Sequence, residues 1–495
     1  MKKLINKLIP VIMLFVLVSS CQKMSRNLDV ESKNDPNINT LATDAVALEA
    51  TAGSIFHSWF MAISDYDGPG LALKTMADEA TCSWGNGGMK DLSSEPRVAF
   101  NNKPSYSYEI ITSKYFNSMY SILSDANMLV FAVENNTATF SDPNQILMAG
   151  KMGQALSVGY LSLLFDRIWV PNANGENVEM DYKDAMNWAL ERMDEAIALA
   201  DAGASLPDGS IPGANLDGAS MSKLFNSLAA RMYANNPRNL NEKNQLDWNK
   251  LKNYASNGLD SDFTIYMDDT NWYDLVPKTY LVYPGWARVD LRVINMMDSN
   301  YPDYWDPNAM ATSPYWDSTN NTLLPANSAD ARLTSDFQYL TSNNFRPERG
   351  LYHFSSYRYS RYDQYITDWV MDLVEFTKAE NDMYKAEAEL ELGNIAAAAA
   401  IVNAGTRVTR GNLPPVAVNA NDVKDAIFYE RMVEFGFSTM GISFWEMRRN
   451  DLLQAGTLLH FPIPGKALNT IPEAIYTYGG NQGVAGQDYS AGGWR

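Results

Sequence analysis

Between Tyr182 and Ala200, Ala185, Ala189, Met193, Ala196, Ile197 and Ala200 fall on one face of a 3.6-residue period, and Glu191, Arg192, Asp194 and Glu195 fall mostly off it. Such a stripe predicts an amphipathic helix packed on a core. The same period runs through Thr43–Ile63, Ser107–Val133, Asn144–Phe165, Ser220–Ala234 and Trp248–Ser256. It fades over residues 260–365, which are rich in Asp, Asn, Pro, Trp and Tyr. It returns at Asp372–Leu392, Ile395–Val402, Asp422–Phe435 and Phe444–Ala455. The chain reads as mainly α, with an irregular aromatic-rich loop lobe carrying few short strands between two helical parts.

The best-formed unit is AEAELELGNIAAAAAIVNAGTR, residues 386–407. One helix ends at Leu392, and Gly393-Asn394 supplies the tight connection, glycine being suited to a left-handed cap. Alanines then open a second helix, small enough for the two to approach closely. This is the arrangement of tetratricopeptide hairpins, whose repeat is about 34 residues. Residues 144–200 and 220–257 predict two weaker pairs. The scaffold is expected to be a set of irregular tetratricopeptide-like helical repeats.

The N-terminus departs from this pattern. Lys2, Lys3 and Lys7 precede an apolar run from Leu8 to Val18, too short for the roughly 20 apolar residues of a membrane span. A basic head, a short apolar core and a small-residue end predict a signal peptide over residues 1–20. Val18-Ser19-Ser20-Cys21 resembles the lipobox of bacterial lipoproteins, which makes Cys21 the expected lipidation site and a lipid the expected membrane anchor. Residues 21–39 are polar and predict a flexible tether. Cys82 is the only other cysteine, so with Cys21 acylated no intramolecular disulfide is expected.

Composition narrows the function classes. The formal net charge is −19, which disfavours nucleic acid, whose phosphates need basic partners. The three histidines, His57, His353 and His460, lie far apart, with no HExxH and no CxxC, so no metal site is expected. GNGGMKD (85–91) lacks the spacing and the Ser/Thr of a phosphate loop, and no GxSxG elbow occurs. No catalytic residue and no cofactor is assigned. DDTNWYD (268–274) reads as a solvated acidic loop. Three aromatic stretches carry more: TCSWGNGG (81–88), YPDYWDP with PYWD (301–317), and LYHFSSYRYSRYDQY (351–365), the last interleaved with Arg358 and Arg361. Flat rings beside Asn, Asp and Arg suit a sugar, whose C–H face stacks on the ring while polar groups take the hydroxyls. The same rings also suit the core of an irregular subdomain.

Three segments together resemble the SusD/RagB family of outer-membrane nutrient-uptake lipoproteins. They are the lipobox with its tether, the hairpin TKAENDMYKAEAELELGNIAAAAAIVNAGTR, and IFYERMVEFGFSTMGISFWEMRRND (427–451) followed by FPIPGKALNT. In the last, Glu430, Arg431, Glu434, Gly441, Trp445, Glu446, Arg448, Arg449 and Pro462-Ile463-Pro464 match the family pattern. The resemblance implies one domain over residues 40–495, with an N-terminal helical part (40–258), the irregular lobe (259–369) and a C-terminal helical part (370–495). It implies a non-enzymatic protein on the cell-surface side of the outer membrane. Its partners would be a SusC-like TonB-dependent transporter and an oligosaccharide or polysaccharide ligand. A peptide ligand, or a secreted glycoside hydrolase, are the alternatives. Trp84 and Asn86 match the family's early binding loop, and Tyr304, Trp305 and Trp316 match its later rings. Glu430, Arg448 and Arg449 are expected to pair inside the helical body.

Overall fold

The computed structural model describes residues 42–82, 85–172, 176–276, 278, 283–304, 312–320, 322–341, 353–480 and 488–493. The periodic blocks become α1 (Ala45–Ser64), α2 (Ile110–Glu134), α3 (Pro143–Leu164), α4 (Tyr182–Asp201), α5 (Gly218–Asn235) and α6 (Trp248–Asn257). After the lobe come α7 (Lys378–Glu391), α8 (Ile395–Ala404), α9 (Ala420–Val433) and α10 (Ile442–Arg449). On α4, Ala185, Ala189, Met193, Ala196 and Ala200 are buried and Ile197 is half-buried, as the stripe predicts. Five of these helices start on an aspartate: Asp44, Asp142, Asp181, Asp217 and Asp247 each accept backbone N–H bonds from the first turn. An anionic cap satisfies orphan donors and suits the positive end of the helix dipole.

Packing follows chain order. α1 packs on α2 and α3, α3 on α4, α4 on α5, α5 on α6, α6 on α7, and α7 on α8 and α9. The result is a mainly α stack of helix pairs. In the α7–α8 hairpin Gly393 takes φ +82°, and the amides of Gly393 and Asn394 close onto Leu390 and Glu389. No described helix is long and apolar enough to cross a membrane.

Two expected helices differ. Asp372 to Phe376 is not helical: β6 (Met371–Phe376) pairs antiparallel with β2 (Phe263–Met267). The helix starts only after Thr377, whose hydroxyl accepts from the Glu380 amide at 3.0 Å, the first half of a Thr-x-x-Glu cap. The helix expected to reach Ala455 ends at Arg449, because Asp451 adopts a left-handed φ of +55°. Within the lobe, β1 (Ala80–Cys82) pairs with β3 (Ala287–Val289), and β4 (Phe337–Tyr339) with β5 (Tyr357–Tyr359). Ser355 donates to the Val289 carbonyl at 3.0 Å, joining the two ladders.

Buried charge organises the C-terminal body. On one face of α9, Glu430 and Glu434 hold Arg332 of the lobe at 2.7 and 3.0 Å, and Glu434 also takes Arg361 at 3.1 Å. On the other face, Arg431 meets Glu387 at 2.8 Å and Glu446 at 3.0 Å, and Arg449 joins both acids. The Glu-Arg-x-x-Glu motif therefore bolts the lobe to the helices. Arg449 and Glu430 pair as expected, with different partners. Arg448 does not: it donates to the carbonyls of Leu163, Asn235 and Leu459 at 2.7–2.9 Å. It serves the C-terminal ends of α3 and α5, where carbonyls lack intrahelical donors.

Candidate functional site

The β1–β3 register sets Cys82 opposite Ala287. The loop that leaves Cys82 and carries Asn86 thus starts beside Tyr283-Pro284-Gly285-Trp286. These four residues make a tight turn: the Trp286 amide donates to the Tyr283 carbonyl at 3.2 Å, and Gly285 takes φ +88°. Pro-Gly favours a turn of this kind, because proline presets the second position and glycine alone takes the positive φ of the third at no cost. The turn presents an aromatic residue at each end.

A third ring completes an arc. Trp369 lies 6.4 Å from Tyr283 with planes 38° apart, and Tyr283 lies 6.5 Å from Trp286 at 44°. All three are half-buried. Trp369 follows a short helix, Asp363–Asp368, and is held at φ +60° with its amide on the Tyr365 carbonyl. A bulky residue in the left-handed region costs about 1–2 kcal/mol. The left-handed conformation ends the helix and turns the ring toward Tyr283.

The far side of the arc is tied to the Asn86 loop. Tyr365 packs 5.7 Å from Trp369, and its hydroxyl accepts the Asp274 amide at 3.0 Å. The Leu275 amide bonds Ser64 at the end of α1. Two residues on, the Tyr66 hydroxyl accepts from the Asn86 side-chain nitrogen. Asn86 Oδ1 is shielded from solvent and meets no donor among the described residues. The ensemble offers half-buried ring faces, on which the C–H face of a polyhydroxylated ligand can stack.

The residues expected from sequence fall in different places. Cys21, Trp84 and Trp305 lie outside the described residues. Asn86 bonds Tyr66 and is linked to the arc only through Ser64, Leu275, Asp274 and Tyr365. Tyr304, 42 % exposed, stacks on His353 at 4.2 Å and 24°. His353 bonds Glu95 at 2.8 Å, and Gln454 joins Glu95 to Asp78. The His353 carbonyl accepts from Leu291, so this cluster sits off the opposite end of the β1–β3 ladder from the Asn86 loop. Trp316 is half-buried in a two-residue hairpin opposite Leu323, beside Tyr315, whose hydroxyl donates to Asp298 at 2.7 Å. Of the stretch 351–365, residues 351–352 lie outside the described residues and the rest is mostly core: Phe354, Tyr357, Tyr359, Tyr362 and Tyr365 are buried. Arg358 is spent on Asp363, and Arg361 on Glu434. Tyr283, Trp286 and Trp369 went unread in the sequence. YPGW was the local signal for two of them; Trp369 had none.

Asp268 behaves as a structural loop residue. Its Oδ1 accepts the amides of Trp272, Thr270 and Asn271 at 2.7–2.9 Å. These bonds, that from Trp272 foremost, hold the carboxyl down at about 2. Among the described residues no group of His, Cys, Asp and Glu is placed to hold a metal.

No family model matches the sequence, and no curated protein matches it. Solved structures do. A SusD superfamily protein from Bacteroides vulgatus aligns over 87% of this chain and 98% of its own, with TM-score 0.57 and 13% identity. Surface glycan-binding protein A from Bacteroides uniformis aligns over 87% and 98%, with TM-score 0.56 and 12% identity. A SusD-like carbohydrate binding protein from Bacteroides vulgatus aligns over 83% and 84%, with TM-score 0.54 and 15% identity. The likeness is one of fold: the chain has the SusD fold, a helical-repeat body carrying an irregular lobe.

Proposed function

We propose that the protein is a non-catalytic glycan-binding lipoprotein of the outer membrane, anchored through Cys21 and facing the cell surface, that hands oligosaccharide or polysaccharide to a SusC-like TonB-dependent transporter. The observation that carries the glycan reading is the arc of half-buried rings formed by Tyr283, Trp286 and Trp369. Two similarly folded proteins described as glycan-binding or carbohydrate-binding support it. The lipobox and the resemblance to SusD/RagB proteins support the anchor and the transporter. In this reading Trp84 adds a ring to the arc from the same loop as Asn86, and Tyr304, Trp305 and Trp316 contact a longer ligand outside it.

Calorimetric titration of residues 22–495 against a panel of polysaccharides tests the proposal. Trp286→Ala should weaken binding at least about fivefold, an aromatic contact contributing roughly 1 kcal/mol beyond burial. Trp369→Gly should weaken it similarly while leaving the unfolding midpoint nearly unchanged, because the relieved backbone offsets the lost packing. No reducing ends should appear. Glycan affinity indifferent to both substitutions would displace the site. Binding of peptides and no glycan, or release of product, would reject the function.

A further inference from the structure

The rings of the arc lie among carboxylates. Asp368 directly precedes Trp369 and is exposed. Asp269 is exposed in the loop whose Asp274 amide bonds the Tyr365 hydroxyl at 3.0 Å. Burial foremost pushes that hydroxyl up to about 12, and the carboxylates of Asp274 and Asp269 push the same way. Tyr365 packs 5.7 Å from the Trp369 ring, so a carboxylate whose field reaches Tyr365 also acts on the arc. The cations nearby are already taken. Lys278 is inaccessible and held between Asp274 at 3.0 Å and Glu375 at 2.9 Å. Lys114 is shared by Asp65 at 2.6 Å and Asp67 at 3.2 Å. Arg288, two residues beyond Trp286, is buried out of a ligand's reach. Lys90, four residues past Asn86, is exposed but engaged, with Asp91 beside it.

Stacking uses the C–H face of a sugar and takes no account of the charge the sugar carries. The rings therefore supply affinity without telling a neutral glycan from an acidic one. The carboxylates make that distinction by repulsion, which is a sufficient source of specificity. An acidic substituent over the arc would meet Asp368 and Asp269, and among the described residues it would find no accessible cation that acid does not already share. The net charge of −19 adds a long-range field of the same sign, which slows the approach of a polyanion. We propose that the arc admits uncharged glycans and excludes uronate- or sulfate-bearing ones, with Asp368 and Asp269 as the excluding residues. The inference rests on the glycan reading above and names the class of ligand within it.

The test is calorimetry of the purified protein against starch, xylan, galactomannan and mixed-linkage β-glucan, each in three forms: plain, lightly hydroxyethylated and lightly carboxymethylated. The last two carry substituents of similar size and differ in charge. Polygalacturonate, alginate and chondroitin sulfate complete the panel. Salt is set at about 0.01 M and about 1 M, where the Debye length is about 30 Å and about 3 Å. For the glycan that binds, the carboxymethyl form should be at least about tenfold weaker than the hydroxyethyl form at low salt, and the gap should close at high salt. Asp368→Asn with Asp269→Asn should narrow the low-salt gap at least about threefold. Asparagine tolerates the left-handed φ of +59° at position 269, and the salt series on the unaltered protein is independent of how the variant folds. Equal affinity for the two substituted forms at low salt, a gap that salt does not close, a gap unchanged in the variant, or tighter binding of an acidic polysaccharide than of every neutral one overturns the inference and leaves the glycan reading standing. Binding of no glycan of either kind overturns both.

Discussion

Replacing Glu387 with alanine should destabilise the fold by about 3–5 kcal/mol, the usual cost of breaking a buried ion pair from one side. Glu387 meets Lys243 at 2.9 Å, Arg431 at 2.8 Å and Arg449 at 2.8 Å, with all side chains nearly inaccessible. Its loss leaves three cations on Glu446 alone. The surface pair of Lys378 and Asp382 on α7 is the control: Asp382→Ala should cost no more than about 0.5 kcal/mol. Urea midpoints of the two variants separate the cases, and similar midpoints would show that the cluster does not hold the body together. The same cluster sets an acid limb. Burial alone would lift the Glu387 pKa, but Arg431, Arg449 and Lys243 outweigh it and hold it well below the ordinary range. Its stabilisation is therefore present above the unfolded value of about 4.3 and is lost as pH falls through the folded one. Glu375 runs the other way: burial raises its pKa despite Lys278, so its contribution is present below about 4.3 and lost as pH rises through its folded value. Glu387→Gln should flatten the first slope and leave the second.

The long helices were legible because a buried stripe repeats through each of them without interruption, as on α4. Legibility ended where the period was short or shared. Met371–Phe376 has too few residues to separate a strand from a helix by periodicity, and its partner, Phe263–Met267, lies more than a hundred residues earlier. The Thr377-x-x-Glu380 cap was the available correction. In the lobe, ring content is the same for core and for platform. Tyr357 is buried against Tyr301 and Tyr339, and Tyr359 is buried on Phe437, stacking at 4.4 Å and 12°, whereas Tyr283, Trp286 and Trp369 stay half-buried. The first two are separated from Trp369 by some eighty positions and meet only because Tyr365 and Asp274 bring their segments together. Asn86 was readable from a loop of small residues around it. Which rings would join it depended on strand register, which no local pattern encodes.

Gly441→Ala should cost about 2–5 kcal/mol, from two terms that a second glycine separates. Gly441 opens α10 at φ +80°, where a side chain costs about 1–2 kcal/mol. A Cβ there would lie 2.6 and 2.7 Å from two carbons of the Trp445 ring, and relieving such overpacking costs roughly 1–3 kcal/mol more. The ring has little room to yield, being fully buried and edge-on to Tyr160 at 6.2 Å. Gly393 has nearly the same backbone, φ +82°, but open space where its Cβ would point. Gly393→Ala should therefore show the backbone term alone, about 1–2 kcal/mol. Chemical denaturation of both variants gives the difference directly, and equal losses would remove the clash from the account. The glycine matters beyond its own position. Trp445 is followed by Glu446, Arg448 and Arg449, so a shift at the start of α10 moves an acid and an arginine of the Glu387 cluster together with the arginine that serves α3 and α5. Combined with Glu387→Ala, Gly441→Ala should then fall short of additivity, since both act on one network.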